Sequence, residues 1–283
     1  MKKCFAVFSV LVLFAFCGCN KVILSGNNIT QEFSIEGSYT ELCVENVFEV
    51  TVSDAVSQIT VTTDENVMPK VVVKKDGDKL KIHLKPLSIN LGTDLELKVL
   101  LPYNAGLKSV DLSGASEFHS EYGLAAEKVE VELSGASEFY CDIEATEVDV
   151  ELSGASDFLG DIVADDIDMS LSGSSSIKGN VTATELDLDL SGASDATLTG
   201  QTNMIKLDLS GASNIKKTII GTQYSLSCDQ CEGSMSGSSD AYIYCDGSIK
   251  VSLSGASGLH YTGNAATTGS TTSGGSNIFH DVL

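Results

Sequence analysis

Val148-Asp149-Val150-Glu151-Leu152-Ser153-Gly154-Ala155-Ser156 is the stretch that decides the fold. Its first five residues alternate apolar and acidic, a period of two, so they describe a strand with one apolar and one charged face. The next four are small and include a glycine, whose backbone reaches angles closed to other residues, which suits a tight bend. The pentapeptide Leu-Ser-Gly-Ala-Ser recurs at Leu112, Leu133, Leu152, Leu190, Leu209 and Leu253, with variant copies at Leu171, Met235 and Thr272. Successive copies start 21, 19, 19, 19, 19, 26, 18 and 19 residues apart. A fixed short period with alternating apolar residues marks a solenoid, whose unit buries its apolar face only by stacking on a neighbour.

Working outward from the pentapeptide, a second apolar position falls six residues after each Leu. It holds Phe118, Phe139, Phe158, Ile177, Ile215 and Leu259, with Ala196 and Ala241 as small members. A third set near the end of each unit reads Ile143, Ile162, Val181 and Ile219. Three inward sets per turn, separated by bends, predict an all-β chain folded as a right-handed parallel β-helix, a single-stranded solenoid of ~19-residue turns. Nine turns climbing ~4.8 Å each give a rod of about 40 Å. A βαβ unit does not fit in so short a repeat.

Taken from its start, the chain opens with Lys2 and Lys3, an apolar run over residues 5–16 and small residues ahead of Cys19. This predicts a lipoprotein signal peptide over residues 1–18, with Cys19 as the lipidated residue and residues 19–30 as the lipid-bearing tether. Residues 31–105 lack the pentapeptide but alternate repeatedly, and Lys75-Asp76-Gly77-Asp78 reads as a hairpin turn. They are expected to form irregular first turns of the helix or a small sheet over its open end. Residues 106–283 are the repeats, with Ile278, Phe279, Val282 and Leu283 expected to fold over the last turn as a cap.

Charge narrows the function. The whole chain carries 17 basic residues, all lysine, against 39 acidic ones. Without Lys2 and Lys3 that is 15 against 39, a net charge of −24. Lacking arginine there is no bidentate fork for phosphate, and the field repels polyanions, so nucleic acid is excluded as a partner. Stacking in register turns the outward acids into ladders, in which carboxylates one turn apart repel by about 1 kcal/mol at water's dielectric. Glu130, Glu132, Asp149, Glu151, Asp187 and Asp189 are therefore a weak alternative for a divalent cation, against the reading that the charge keeps a regular rod soluble. The serine columns are expected to satisfy one another at the bend rather than act as nucleophiles, since the four histidines lie in scattered contexts. Cys228, Cys231 and Cys245 fall in or just after the 26-residue step and allow a disulfide that would pin the inserted residues; buried thiols or, lacking further ligands, a zinc site are the alternatives. No motif asks for a cofactor.

With the repeat, the signal and the strand-rich first third in hand, the chain resembles the head GIN domain family of auto-transporter adhesins. Phe48-Glu49-Val50-Thr51-Val52, Leu80-Lys81-Ile82, Leu101-Pro102 and the Leu-Ser-Gly-Ala-Ser copies carry the resemblance, which spans residues 33–259. It implies a right-handed β-helix in the cell envelope and supplies no catalytic residues. The expectation is an envelope-anchored, non-enzymatic adhesion or binding rod, tied to the outer membrane by its lipid and meeting a glycan or protein ligand. The alternative is a carbohydrate-active β-helix enzyme using an acidic pair, although no long loop, Trp or dense aromatic cluster is evident to build a sugar platform.

Overall fold

The computed structural model describes residues 21–86, 88–89 and 95–283; the signal segment and Cys19 lie outside them. Among those residues the chain is all β apart from one 3-10 turn, Met68–Lys70. Alternation within each repeat does what it predicts. Along Ile143–Leu152 the side chains of Val148, Val150 and Leu152 are buried while Asp149 and Glu151 face out. After the bend Phe158 is again buried, and Ile162 closes the third side of the turn.

Successive turns stack as parallel strands in register, so Leu133, Leu152, Leu171, Leu190, Leu209, Met235 and Leu253 form one buried column. The Phe118, Phe139 and Phe158 rings stack at 5.3 and 4.9 Å with nearly parallel planes. This is a parallel β-solenoid of about nine turns at ~19-residue spacing.

The bend explains why the pentapeptide is so constant. Gly154 sits at φ +77°, and a Cβ there would lie 2.4 Å from the carbonyl oxygen of Gly135 one turn below. Only glycine lets two turns approach that closely. The N–H of Ala155 then donates to the Gly135 carbonyl at 2.7 Å. The serines are satisfied differently from the expectation of mutual hydroxyl ladders. Buried Ser156 donates its hydroxyl to the carbonyl of Ser153 at 2.8 Å, and Ser153 donates to Leu133 O at 3.3 Å. A backbone carbonyl at each bend is a fixed acceptor, so the hydroxyls need no partner of their own kind.

Both breaks in the period have a place. The 21-residue step puts two extra residues into the corner 120–123, because His119 pairs with Tyr140 whereas Leu124 pairs with Ile143. The 26-residue step puts seven into a hairpin of Ile219–Ile220 against Gln223–Tyr224. Ile219 is therefore not inward as expected: it is about half exposed, and Leu226 takes the buried position beside Gly200. Cys228 and Cys231 lie past the insertion, in the regular strand Leu226–Met235. The hairpin reaches across later turns, where Tyr224 N–H donates to Thr262 Oγ1 at 3.1 Å and its phenol donates to Asp281.

The N-terminal third mixes parallel and antiparallel pairing. Glu41–Val44 and Glu49–Ser53 form a true turn, with Leu42, Val44 and Val50 in register beneath Val110, Leu112 and Phe118. Lys79–Leu84 and Leu97–Pro102 add a further parallel layer below it. Antiparallel strands Asn28–Phe33, Ile59–Asp64 and Val71–Asp76 then flank this layer. At the other end the tail does not fold over the rod. Asn277–His280 continues the ladder on Gly258–Thr262, and Val282 is almost wholly exposed.

Candidate functional site

Outward residues also stack, and at the position seven after each pentapeptide Leu the column turns from polar to apolar. Leu100, Thr51, His119, Tyr140, Leu159 and Lys178 follow one another in register over successive turns. The His119 and Tyr140 rings stack at 4.4 Å and 6°. The two extra residues of the first step lift Tyr122 out of the corner, and its ring meets Tyr103 at 4.9 Å. Tyr122 is held there, its phenol oxygen accepting from the N–H of Asp54 at 3.2 Å.

Between these side chains runs an open groove of about 810 Å³. Leu100, Tyr122 and Leu159 in it, and Tyr103 beside it, each remain 41–47% exposed, a local concentration of outward apolar surface. The floor is bare backbone. A Cβ on Gly160 would lie 2.0 Å from Cys141 O, and one on Gly179 1.9 Å from Gly160 O, so side chains are excluded and the hollow stays open. Asp142 and Asp161 line one wall. Each uses one oxygen to accept a backbone N–H from the next turn, of Asp161 and Asn180 respectively, both at 2.8 Å. Tyr140 donates to Glu138, and that bond together with burial pushes the phenol up to about 12, so it stays a neutral donor.

The acids singled out from sequence stand elsewhere. Glu130, Asp149 and Asp187 share one column and Glu132, Glu151 and Asp189 the next; of these Asp149, Glu151, Asp187 and Asp189 line a second groove of about 760 Å³ that reaches Lys206 and Lys250. Lysines partly neutralise it: Lys128 reaches Glu147 and Asp149 at 2.6 Å and Glu130 at 3.6 Å, and Lys206 contacts Glu185 and Asp187. Burial, then repulsion from Asp111 and Glu151, raises Glu132; burial, then Asp187 and Asp149, raises Asp168. Among the described residues no three His, Cys, Asp or Glu side chains are grouped to hold a metal ion. The buried serines bond backbone carbonyls, while His119 and His260 pair with Glu117 and Asp281.

Cys228, Cys231 and Cys245 are free, buried thiols in this structure. Cys228 and Cys245 are register partners on adjacent turns, whereas Cys231 faces Ile249. A hydrogen bond to Cys245 and burial push the Cys228 thiol far up. Of the bridges the spacing allows, Cys228–Cys245 alone joins register partners.

No dense aromatic cluster in the sequence marks the groove. Tyr103, His119, Tyr122 and Tyr140 are spread over 38 positions; the ladder stacks His119 on Tyr140, and Tyr122 meets Tyr103 across the corner. The signals were the two-residue excess in the first step and the apolar residues one place beyond the polar rim at Tyr140 and Leu159.

Comparison with known proteins agrees with this architecture. A family model described as "Putative auto-transporter adhesin, head GIN domain" matches residues 38–161 and 158–265. A "putative adhesin" from Parabacteroides merdae is 17% identical, covers 93% of this chain and all of its own, and superposes with a TM-score of 0.66. One from Parabacteroides distasonis is 20% identical over 93% of this chain and 98% of its own, with a TM-score of 0.60. A "putative lipid binding protein" from Parabacteroides distasonis is 19% identical over 93% of this chain and all of its own, at 0.58. At such identities the likeness is one of fold. No curated protein matches the chain.

Proposed function

This chain belongs to the head GIN domain family, and from that premise we propose that it is a non-enzymatic adhesion or binding rod of the cell envelope, displayed from the outer membrane by lipid on Cys19. The observation that carries the reading is the groove at Leu100, His119, Tyr122, Tyr140 and Leu159. There the stacked turns expose aromatic and aliphatic side chains around a bare backbone floor. Exposed apolar surface rimmed by polar groups is what a binding face requires, and the stacked turns hold it rigid, so little ordering entropy is lost on contact.

The lipid anchor rests on the sequence alone, through the signal over residues 1–18 and the Cys19 that follows it. A triacylated cysteine would fix one end of the rod at the membrane and leave the groove facing outward from its side. The test is to express the full chain and Cys19→Ala in cells fed an alkyne fatty acid. The native chain should take up label and be stripped by protease added to intact cells, and the variant should be unlabelled. Adherence of the expressing cells to a host or matrix surface should fall when Tyr122→Ala is introduced. Equal adherence with and without the groove residues would refute the reading.

A further inference from the structure

Resting on that reading, we infer that the aromatic groove takes a neutral glycan chain lying along the rod axis, about three sugar rings at a time. Charge selects first. Glu121, Asp142 and Asp161 line the groove, and Lys178 is the one lysine that stands against them. Uronic, sulfated or phosphorylated polymers are repelled by that field, and so is a second copy of this chain, which would bring like charge against like.

Chemistry selects next. A pyranose offers apolar C–H surface together with hydroxyls, and the groove offers both complements. Tyr122, Tyr140 and Leu159 give apolar contact. Asp142 and Asp161 each have one oxygen fixed by a backbone N–H, which orients the other to accept from a sugar hydroxyl. Their positions are set before a ligand arrives, so no side-chain ordering opposes binding.

Spacing selects last. Equivalent groups along the groove recur once per turn, every ~4.8 Å, which is close to the length of one pyranose ring. An extended peptide repeats its same-face side chains only every ~6.8 Å and falls out of step within two turns. From His119 to Lys178, the part of the groove floored by Gly160 and Gly179, is three steps, roughly 14 Å, which sets the number of sugar rings accommodated.

The experiment titrates the full-length chain with neutral glucose-, mannose-, galactose- and N-acetylglucosamine-based oligomers of one to six units. Uronic-acid oligomers and an extended neutral peptide are run alongside. At least one neutral series should bind, its affinity rising to about three units and then levelling, with uronic oligomers at least tenfold weaker. Tyr122→Ala and Leu159→Glu should each lower affinity tenfold or more. Their melting temperatures should stay near the native value, since both side chains lie outside the core. Tighter binding of uronic oligomers, binding of the peptide instead, dimerisation through the groove, or insensitivity to both variants would overturn the inference. Loss of cell adherence in Tyr122→Ala without any glycan binding would overturn it while leaving the binding-rod reading standing. Unchanged adherence would remove both.

Discussion

The middle turns and the N-terminal third hold themselves together by opposite means. Between Ser109 and Leu209 each turn rests on a near copy of itself: Leu on Leu, Phe on Phe, and glycine against the carbonyl of the glycine below. Over residues 25–102 unlike pieces meet, with antiparallel strands flanking parallel ones. There a single buried carboxylate, Asp64, accepts from Ser25 and Gly26 N–H and the Ser25 hydroxyl on one oxygen and from Asn66 N–H on the other. Repetition makes a region whose every position is constrained by two neighbours of its own kind, whereas the cap depends on a few specific contacts.

The sharpest way to break this comparison is to add one methyl in each region. Gly173 stands at φ +77° with Gly154 O only 2.4 Å from where a Cβ would sit, while Gly77, in the cap's hairpin at φ +63°, has nothing within 4 Å. Gly77→Ala should cost about 1–2 kcal/mol, the strain of a left-handed residue. Gly173→Ala should cost more than about 4 kcal/mol or abolish folding, because a backbone carbonyl has to move and the turn below moves with it. Urea unfolding of both variants measures the gap, and equal costs would show that the column is not packed as described.

Next in size are the stacked rings. Phe139 lies between Phe118 and Phe158, and Phe158 between Phe139 and Ile177. Each Phe→Ala change should cost about 3–5 kcal/mol through the cavity it leaves. Phe139 should exceed Phe158 by about 0.5–1.5 kcal/mol, since it loses two aromatic contacts rather than one. A reversed order would mean that the ladder adds nothing beyond burial.

The same contrast explains what could be read from residues alone. In the repeats, pattern and geometry are one thing. Leu152 predicts its own burial and its neighbours' because the spacing returns every side chain to the same place. Ile219 shows the limit: it has the right residue type near the right count, but seven inserted residues move it to an exposed hairpin and hand its place to Leu226. Val282 and Leu283 were expected to cover the last turn because they are apolar, yet the ladder simply continues through Ile278, which pairs with Leu259, and leaves the final residues outside. The groove was illegible for another reason. Tyr103 precedes the first pentapeptide and Tyr122 lies in the corner that departs from the 19-residue spacing, so their contact follows from how the N-terminal strands meet the first turn.

Asp64 lets the cap be opened without touching the repeats. Burial opposes ionisation of its carboxyl, but the four donors outweigh it and hold the group below the usual carboxylate range. A pKa lower folded than unfolded stabilises above the unfolded value, about 3.9, and that contribution is lost as pH falls through the folded one. On acidification, amides of residues 25–33 should lose exchange protection while those of residues 129–209 keep theirs. Asp64→Asn should cost about 1–3 kcal/mol at neutral pH and remove the acid step. Loss of protection everywhere at one pH would mean that cap and repeats unfold as a unit.

The smallest effect separates charge from packing within the repeats. Lys128 reaches carboxylates on its own and the next turn, Glu130, Glu147 and Asp149, and the hydrogen bonds it donates to Asp149 and Glu147 raise its pKa. Its ammonium stays largely in water, where long side chains lose entropy on pairing and salt screens the attraction. Lys128→Met should therefore leave melting unchanged at 0.5 M salt, where screening acts within a few ångströms. In dilute buffer the melting temperature should drop slightly, because the acidic ladder loses its counter-charge. Asp64→Asn should behave oppositely, with a cost nearly independent of salt, since the buried carboxyl is held by uncharged donors, three backbone N–H groups and the Ser25 hydroxyl. If Lys128→Met proved as damaging at high salt as at low, the lysine stem would be packing against the turn, and the acidic face would belong to the fold rather than merely coat it.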